Sequence, residues 1–336
     1  MTRSLIILPD DSAKPVLDAI HAATKSVRIK MFAFSHRPLL EAVVAAHRRG
    51  VDVKVMLNPE RRDGETDNDA AREMLQQFGI EVRESNPPAF DLTHEKSMVV
   101  DDEHAFVESL NWTEENFTLT RDYAVVTPSA YEVAEIIDCF EADWAREDFD
   151  PGTGAHLIWC PSNGRHRIAD FIDQAKHTLF LQNERYQDPV IIERLVRAAH
   201  RGGVKVHVMA RAAHHLKDGK LVEGGVSGMR ILDDVGIKIH RLKHMKLHAK
   251  MILADHERAV VGSINFSPGS FDHRRELAIE VTDHEITQRL NEVAHHDWKH
   301  SERMDLSDAG LIADLTGRGG RDPRDINQLA LHEPDA

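Results

Sequence analysis

LHAKMILADHERAVVGSIN, residues Leu247 to Asn265, places His248, Lys250 and Asp255 in the order H-x-K-x-x-x-x-D. Seven residues after Asp255 it continues with Gly262, Ser263, Ile264 and Asn265. The chain contains this stretch twice. THEKSMVVDDEHAFVESLN sets His94, Lys96 and Asp101 at the same spacing, then Ser109 and Asn111, each 154 residues before its counterpart. The register extends further: Arg121-Asp122 recurs as Arg275-Glu276, and Asp143-Trp144 as Asp297-Trp298. Upstream, RRGVDVKVML (48–57) answers RGGVKVHVMA (201–210). Two copies are too few for a solenoid and imply two similar halves about a pseudo-twofold axis.

The order of elements gives the fold class. In the first half LIIL (5–8) and VRIKMFAF (27–34) read as strands, and PLLEAVVAAHRRG as a helix stopped at Gly50, before the strand VDVKVML. The second half repeats the order with LFLQNE, VIIERLVRAAHRGG and VKVHVMA, and places a variable loop at ARAAHHLKDGKLVEGG. This predicts an α/β protein of two similar lobes, each a mixed sheet flanked by helices. The Asp-, Gly- and Pro-rich DFDPGTGAH (148–156) divides them into lobes 1–150 and 151–316. Residues 317–336 lack apolar periodicity and read as a disordered tail.

Composition narrows the class. With 336 residues, 41% hydrophobic and 29% charged, the chain suits two globular lobes. A net charge of −14 argues against a general nucleic-acid coat protein. Two cysteines without a C-x-x-C, Cys139 and Cys160, read as buried free thiols. The start, MTRSLIILPDD, is no signal peptide, and no apolar run approaches a membrane span, so a cytoplasmic protein is expected.

In an extended segment residues two apart share a face, so His94 points with Lys96 and His248 with Lys250. Asp101 and Asp255, an odd number of residues on, fall at the strand's turn and read as structural. An imidazole beside a fixed cation suits phosphoryl chemistry: the imidazole attacks phosphorus, and Lys96, Lys250, Asn111 and Asn265 bind its oxygens, with Ser109 and Ser263 beside them. Two copies supply both a nucleophile and a proton donor, the latter typically worth about 10²- to 10⁴-fold in rate. Asp122 and Glu276, each 28 residues after a motif histidine, are carboxylates for a ring nitrogen. Arg121, Arg275, Trp144 and Trp298 read as struts or packing, and Trp112, Phe266, Phe117 and Phe271, which flank the two motifs, as core packing or the lining of an acyl or base pocket. His240, His244 and His248 would align as a metal-binding stripe on a helix, but strand-like sequence on both sides argues against it and no metal is expected.

The doubled H-x-K-x4-D resembles the signature of the phospholipase D superfamily over roughly residues 10 to 300. The resemblance implies a two-lobed α/β fold with one metal- and cofactor-independent site between the lobes, and a phosphohistidine intermediate. It implies His94 as nucleophile and His248 as acid. One departure stands out: Glu108 occupies the place of Gly262, which would set a carboxylate and bulk near the phosphate.

The expected activity is phosphatidyl hydrolysis or transfer on glycerophospholipids. The alternative is a nuclease or other phosphodiesterase using the same residues. KIHRLKHMKLHAK (238–250) carries five Lys/Arg and no acid, a local funnel for an anionic headgroup. Membrane contact is expected to be peripheral and through loops, and the acidity of the chain disfavours nucleic acid as partner.

Overall fold

The computed structural model describes residues 2–59, 68–85, 90–211, 213–217 and 220–317. It contains two large mixed sheets. The first runs Ser4–Leu8, Thr120–Thr127, His104–Glu108, Ser97–Val100, Ser26–Met31, Asp52–Leu57, Glu81–Glu84. Its first five strands pair antiparallel and its last three parallel. The second runs Ser301–Arg303, Ile239–Leu242, Lys205–Met209, Thr178–Gln182, Met251–Ala254, Arg258–Gly262, Arg274–Val281 and repeats this pattern from its opposite end, with Ser301–Arg303 added antiparallel at the edge. Ile158–Cys160 lies against Arg274–Val281 as Ser4–Leu8 lies against Thr120–Thr127.

The helices follow from local signals. Arg37–Arg48 has Pro38 in its first turn, buries Leu39, Leu40, Val43 and Val44, and stops where Gly50 takes a positive φ of 90°. In the other lobe Pro189–His200 is capped by Asp188, whose carboxylate accepts the amides of Val190 and Ile191 at 3.0 and 3.1 Å. Each sheet buries one face under its own helices. The other faces meet, with Ile7, Val99, Tyr123 and Val125 of the first and Phe180, Met251, Leu253 and Leu277 of the second in one cluster.

Two short pairings stitch the lobes together. Leu92–Thr93 adds parallel to Arg274–Arg275 in the second sheet, and Lys246–Leu247 adds parallel to Thr120–Arg121 in the first. Each H-x-K segment is therefore a crossing from one sheet to the other. Its strand ends at Thr93 or Leu247 and resumes at Ser97 or Met251. The straight strand expected through the motif is interrupted because the chain is pairing with both sheets in succession.

One further expectation changes. The variable loop after Ala210 holds a two-stranded hairpin, Ala213–Lys217 with Lys220–Gly224. The chain also continues past Trp298 into the edge strand Ser301–Arg303 and the helix Asp308–Gly317. The expected tail, beyond Gly317, lies outside the described residues. Cys139 and Cys160 are buried free thiols.

Candidate active site

The two arginines of the repeat fix the seam. Arg121 sends Nε and Nη2 to Asp297 at 2.9 and 3.0 Å, and Arg275 sends Nε and Nη2 to Asp143 at 3.1 and 3.0 Å. Both arginines and both aspartates are buried, and each fork spans the lobes. Behind Arg275, Lys30 Nζ reaches Glu95 at 3.0 Å and Asp143 at 2.7 Å and lies 3.5 Å from Cys139 Sγ. Glu95, Cys139 and Asp143 are grouped closely enough to hold a metal ion, but the Lys30 ammonium already supplies the cation among them.

With the seam fixed, each crossing delivers a histidine to a carboxylate of the opposite lobe. The amides of His94 and Glu95 both donate to Arg275 O, at 2.9 and 2.8 Å, and the ring of His94 places Nδ1 2.9 Å from Glu276 Oε2. The amide of His248 donates to Arg121 O at 3.2 Å, and its Nδ1 lies 2.8 Å from Asp122 Oδ1. Each motif lysine folds back on its own histidine: Lys96 Nζ donates to His94 O at 2.7 Å and Lys250 Nζ to His248 O at 2.6 Å. Both Nδ1 atoms are thus turned to carboxylates, and Nε2 is the opposite nitrogen of each ring.

The two carboxylates sit in different electrostatic surroundings. Burial disfavours charge on Asp122, but His248, Lys250 and the Ser109 hydroxyl outweigh it and hold the group at about 2. Its oxygens accept from Ser109 Oγ at 2.6 Å, Thr120 Oγ1 at 2.5 Å and Asn116 Nδ2 at 3.1 Å. For Glu276 burial dominates and pushes it up to about 7, against the opposing pull of Lys96 and Ser263. Ser263 also accepts the Leu277 amide at 3.0 Å, as Ser109 accepts that of Tyr123 at 2.9 Å. Asn111 and Asn265 follow the strands His104–Glu108 and Arg258–Gly262 and are buried beside these serines.

Asp101 and Asp255 stand apart from the rings. Each opens a hairpin turn of two consecutive left-handed residues, Asp101-Asp102 and Asp255-His256. The Asp101 carboxylate accepts the amides of Thr24, Lys25 and Ser26, and that of Asp255 the amides of Lys176, His177 and Thr178. Trp112, Phe266, Phe117 and Phe271 are buried in the two helix-side cores. His240 bonds Ser301 through Nδ1 and stacks on Trp298 at 3.9 Å, on a strand and not on a helix with His248.

Glu108 needs a correction. It is fully buried, and its Oε2 accepts the Trp112 indole N–H at 2.7 Å. Burial pushes it up to about 8, so at neutral pH it is an uncharged core acid, not a repelling charge. Its counterpart Gly262 has no such room: a Cβ there would lie 2.2 Å from Leu277 O and 2.4 Å from Ala278 Cα.

One residue of the site was not foreseen from the sequence. Glu184, just past the strand Thr178–Gln182, places Oε2 2.7 Å from Lys250 Nζ and 3.9 Å from His248 Nε2. Arg211 reaches its Oε1 at 3.3 Å. Burial disfavours charge on Glu184, but Lys250, His248 and Arg211 outweigh it and keep the carboxyl well below its usual range.

Comparison with known proteins gives a consistent family. The cardiolipin synthase, PLD-like domain family matches residues 16–144 and 168–298. The chain is 25% identical to cardiolipin synthase B of Salmonella typhi over 322 residues, covering 82% of this chain and 75% of that protein. Its fold is similar to that of phosphatidylserine synthase from Haemophilus influenzae Rd KW20, with a TM-score of 0.69 at 12% identity over 97% and 91% of the two chains. It is also similar in fold to polyphosphate kinase from Porphyromonas gingivalis, with a TM-score of 0.71 at 16% identity, over 94% of this chain and 53% of that one.

Proposed function

This chain belongs to the phospholipase D superfamily, in its cardiolipin synthase-like branch of phosphodiesterases, and we propose that it cleaves glycerophospholipids by way of a phosphatidyl-histidine. The observation that carries this reading is the crossed pair of bonds, His94 to Glu276 and His248 to Asp122. They hold two imidazoles in one seam with unlike carboxylates behind them.

The asymmetry supports one order of steps. His248 lies between the Asp122 carboxylate and Glu184, and in this reading it acts as the acid. Glu276, when ionised, accepts Nδ1–H of His94 and leaves the lone pair on Nε2 for attack. His94 Nε2 bonds to phosphorus, the bond from phosphorus to the headgroup oxygen breaks, and that oxygen takes the proton from His248 Nε2. Water or an alcohol then attacks phosphorus, gives its proton to His248, and the His94–phosphorus bond breaks. Lys96, Lys250 and the amides of Asn111 and Asn265 stabilise the charge on the phosphoryl oxygens.

The family match supports a lipid substrate. Among the described residues no helix is long and apolar enough to cross a membrane. Leu119, 56% exposed, accepts the Lys246 amide at 3.0 Å and so sits beside the basic segment 238–250, a loop suited to touch a bilayer. The test is turnover of mixed phospholipid vesicles with a primary alcohol present, wild type beside His94→Ala. Headgroup release with formation of the phosphatidyl-alcohol, absent in the variant, is expected. Cleavage of simple phosphodiesters by a protein inert toward every lipid would keep the histidine chemistry and move the substrate to nucleic acid or another diester.

A further inference from the structure

The two half-sites differ most at one pair of positions. The amides of Thr24 to Ser26 bind Asp101 as those of Lys176 to Thr178 bind Asp255. Phe34 bridges Trp112 as Tyr186 bridges Phe266. This frame makes Phe32 the counterpart of Glu184. Phe32 packs its ring edge-on to His94 at 5.0 Å, with Lys96 Nζ 5.2 Å from its centroid. Where one half-site has an aromatic ring, the other has a carboxylate.

Glu184 is placed to meet a ligand. Its side chain is 13% exposed, as much as that of His248, so both open toward the same solvent. Lys250 takes Oε2 and Arg211 takes Oε1, which fixes the carboxylate plane and leaves further lone pairs on both oxygens. A second anion would be repelled here, whereas a hydroxyl donor would be held. The group that passes His248 in each step is an alcohol oxygen: the leaving headgroup first, the incoming acceptor second.

We propose that Glu184 selects the acceptor, by accepting a hydrogen bond from a second hydroxyl of an incoming polyol while His248 Nε2 takes the proton of the attacking one. This rests on the covalent reading above. In the transfer step the polyol oxygen bonds to phosphorus, the His94 Nε2–phosphorus bond breaks, and the attacking proton passes to His248. A monohydric alcohol or water makes no bond to Glu184 and competes poorly. Phe32, on the nucleophile's side, offers no acceptor and plays no part in this choice.

The experiment uses bis(p-nitrophenyl) phosphate, so that it does not depend on a lipid substrate. Glycerol and ethanol are supplied together in equal concentration, and the glyceryl and ethyl esters are quantified by mass spectrometry. Wild type is expected to favour glycerol, and Glu184→Gln to lower the glycerol-to-ethanol product ratio about tenfold, as loss of a charge-assisted bond to a substrate hydroxyl does. The ratio is independent of how much total activity the variant keeps. The same comparison of 1,3-propanediol with 1-propanol on wild type alone needs no variant, and the diol should win by a similar factor. An unchanged ratio in Glu184→Gln, or equal trapping of diol and monohydric alcohol by wild type, overturns the proposal. Nitrophenol release with no ester from any alcohol overturns the proposal and leaves the covalent reading with water as the acceptor, whereas undiminished nitrophenol release by His94→Ala overturns the covalent reading itself.

Discussion

Oε2 of Glu276 lies 2.9 Å from Nδ1 of His94, a residue 182 positions earlier in the chain and borne by the opposite lobe. Its mirror relation, Asp122 with His248, spans 126 positions in the opposite sense along the chain, the carboxylate coming first. Neither motif carries the carboxylate of its own histidine, so neither lobe holds a complete half of the proposed catalytic machinery.

Because burial places Glu276 at about 7, attack by His94 should switch on as pH rises through that value. Below it an added proton on the pair removes either the Nδ1–H bond or the Nε2 lone pair. We expect kcat/KM to fall tenfold per pH unit on the acid side of about pH 7. Glu276→Gln should abolish that limb and lower the rate by about 10²- to 10⁴-fold. A variant profile with the same acid midpoint as wild type would detach Glu276 from the limb.

Asp122 bears on stability in the opposite direction of pH. Its folded value of about 2 is below the ordinary 3.8, so its contribution is present above 3.8 and is lost as pH falls through 2. The shift corresponds to about 2 kcal/mol. Urea titrations at stepped acid pH should show wild type losing that increment and Asp122→Asn lacking it. Parallel curves for the two proteins would contradict the assignment.

Glu108 should behave as the reverse case. Its folded value of about 8 exceeds the ordinary 4.5, so its contribution is full below 4.5 and gone once pH has risen through about 8. Glu108→Gln keeps an oxygen for the Trp112 indole and removes the ionisation. The variant's melting temperature relative to wild type should climb between about pH 5 and pH 9, by several degrees at the upper end. A difference that stays flat with pH would show the carboxyl is charged throughout.

The two seam arginines should not be equivalent. Removing one partner of a buried pair costs about 3–5 kcal/mol. After Arg275→Ala, Asp143 retains the Lys30 ammonium at 2.7 Å. After Arg121→Ala, Asp297 retains the neutral Gln182 amide at 2.9 Å and no described buried cation. Arg121→Ala should therefore lie near 5 and Arg275→Ala near about 3 kcal/mol in denaturant unfolding. The reverse order would mean that Lys30 does not compensate Asp143.

Much of this was legible in the residues, because the motif, the struts and the carboxylates recur at one fixed shift of 154. The lobes, the mixed sheets and the family follow from that repetition. The crossing was not legible. It depends on a two-residue strand, Leu92–Thr93, adding to Arg274–Arg275, and no local pattern encodes so distant a pairing. Glu184 was hidden for another reason. The shift falls to 152 between the strands Ser26–Met31 and Thr178–Gln182, and a carboxylate just past the second answers a phenyl ring just past the first, so a fixed-shift comparison passes it by. Aligning SVRIKMF with TLFLQNE by their alternation would have found it. Glu108 misled because spacing reveals which residues are near a site, whereas burial decides whether a carboxyl there is charged.

The crossed bonds also set a clock on synthesis. A ribosome that has released His94 into solution has made an imidazole whose carboxylate is still 182 codons away. The first motif must wait for almost the whole second lobe, and a chain broken off anywhere before residue 276 lacks the carboxylate that holds the His94 ring.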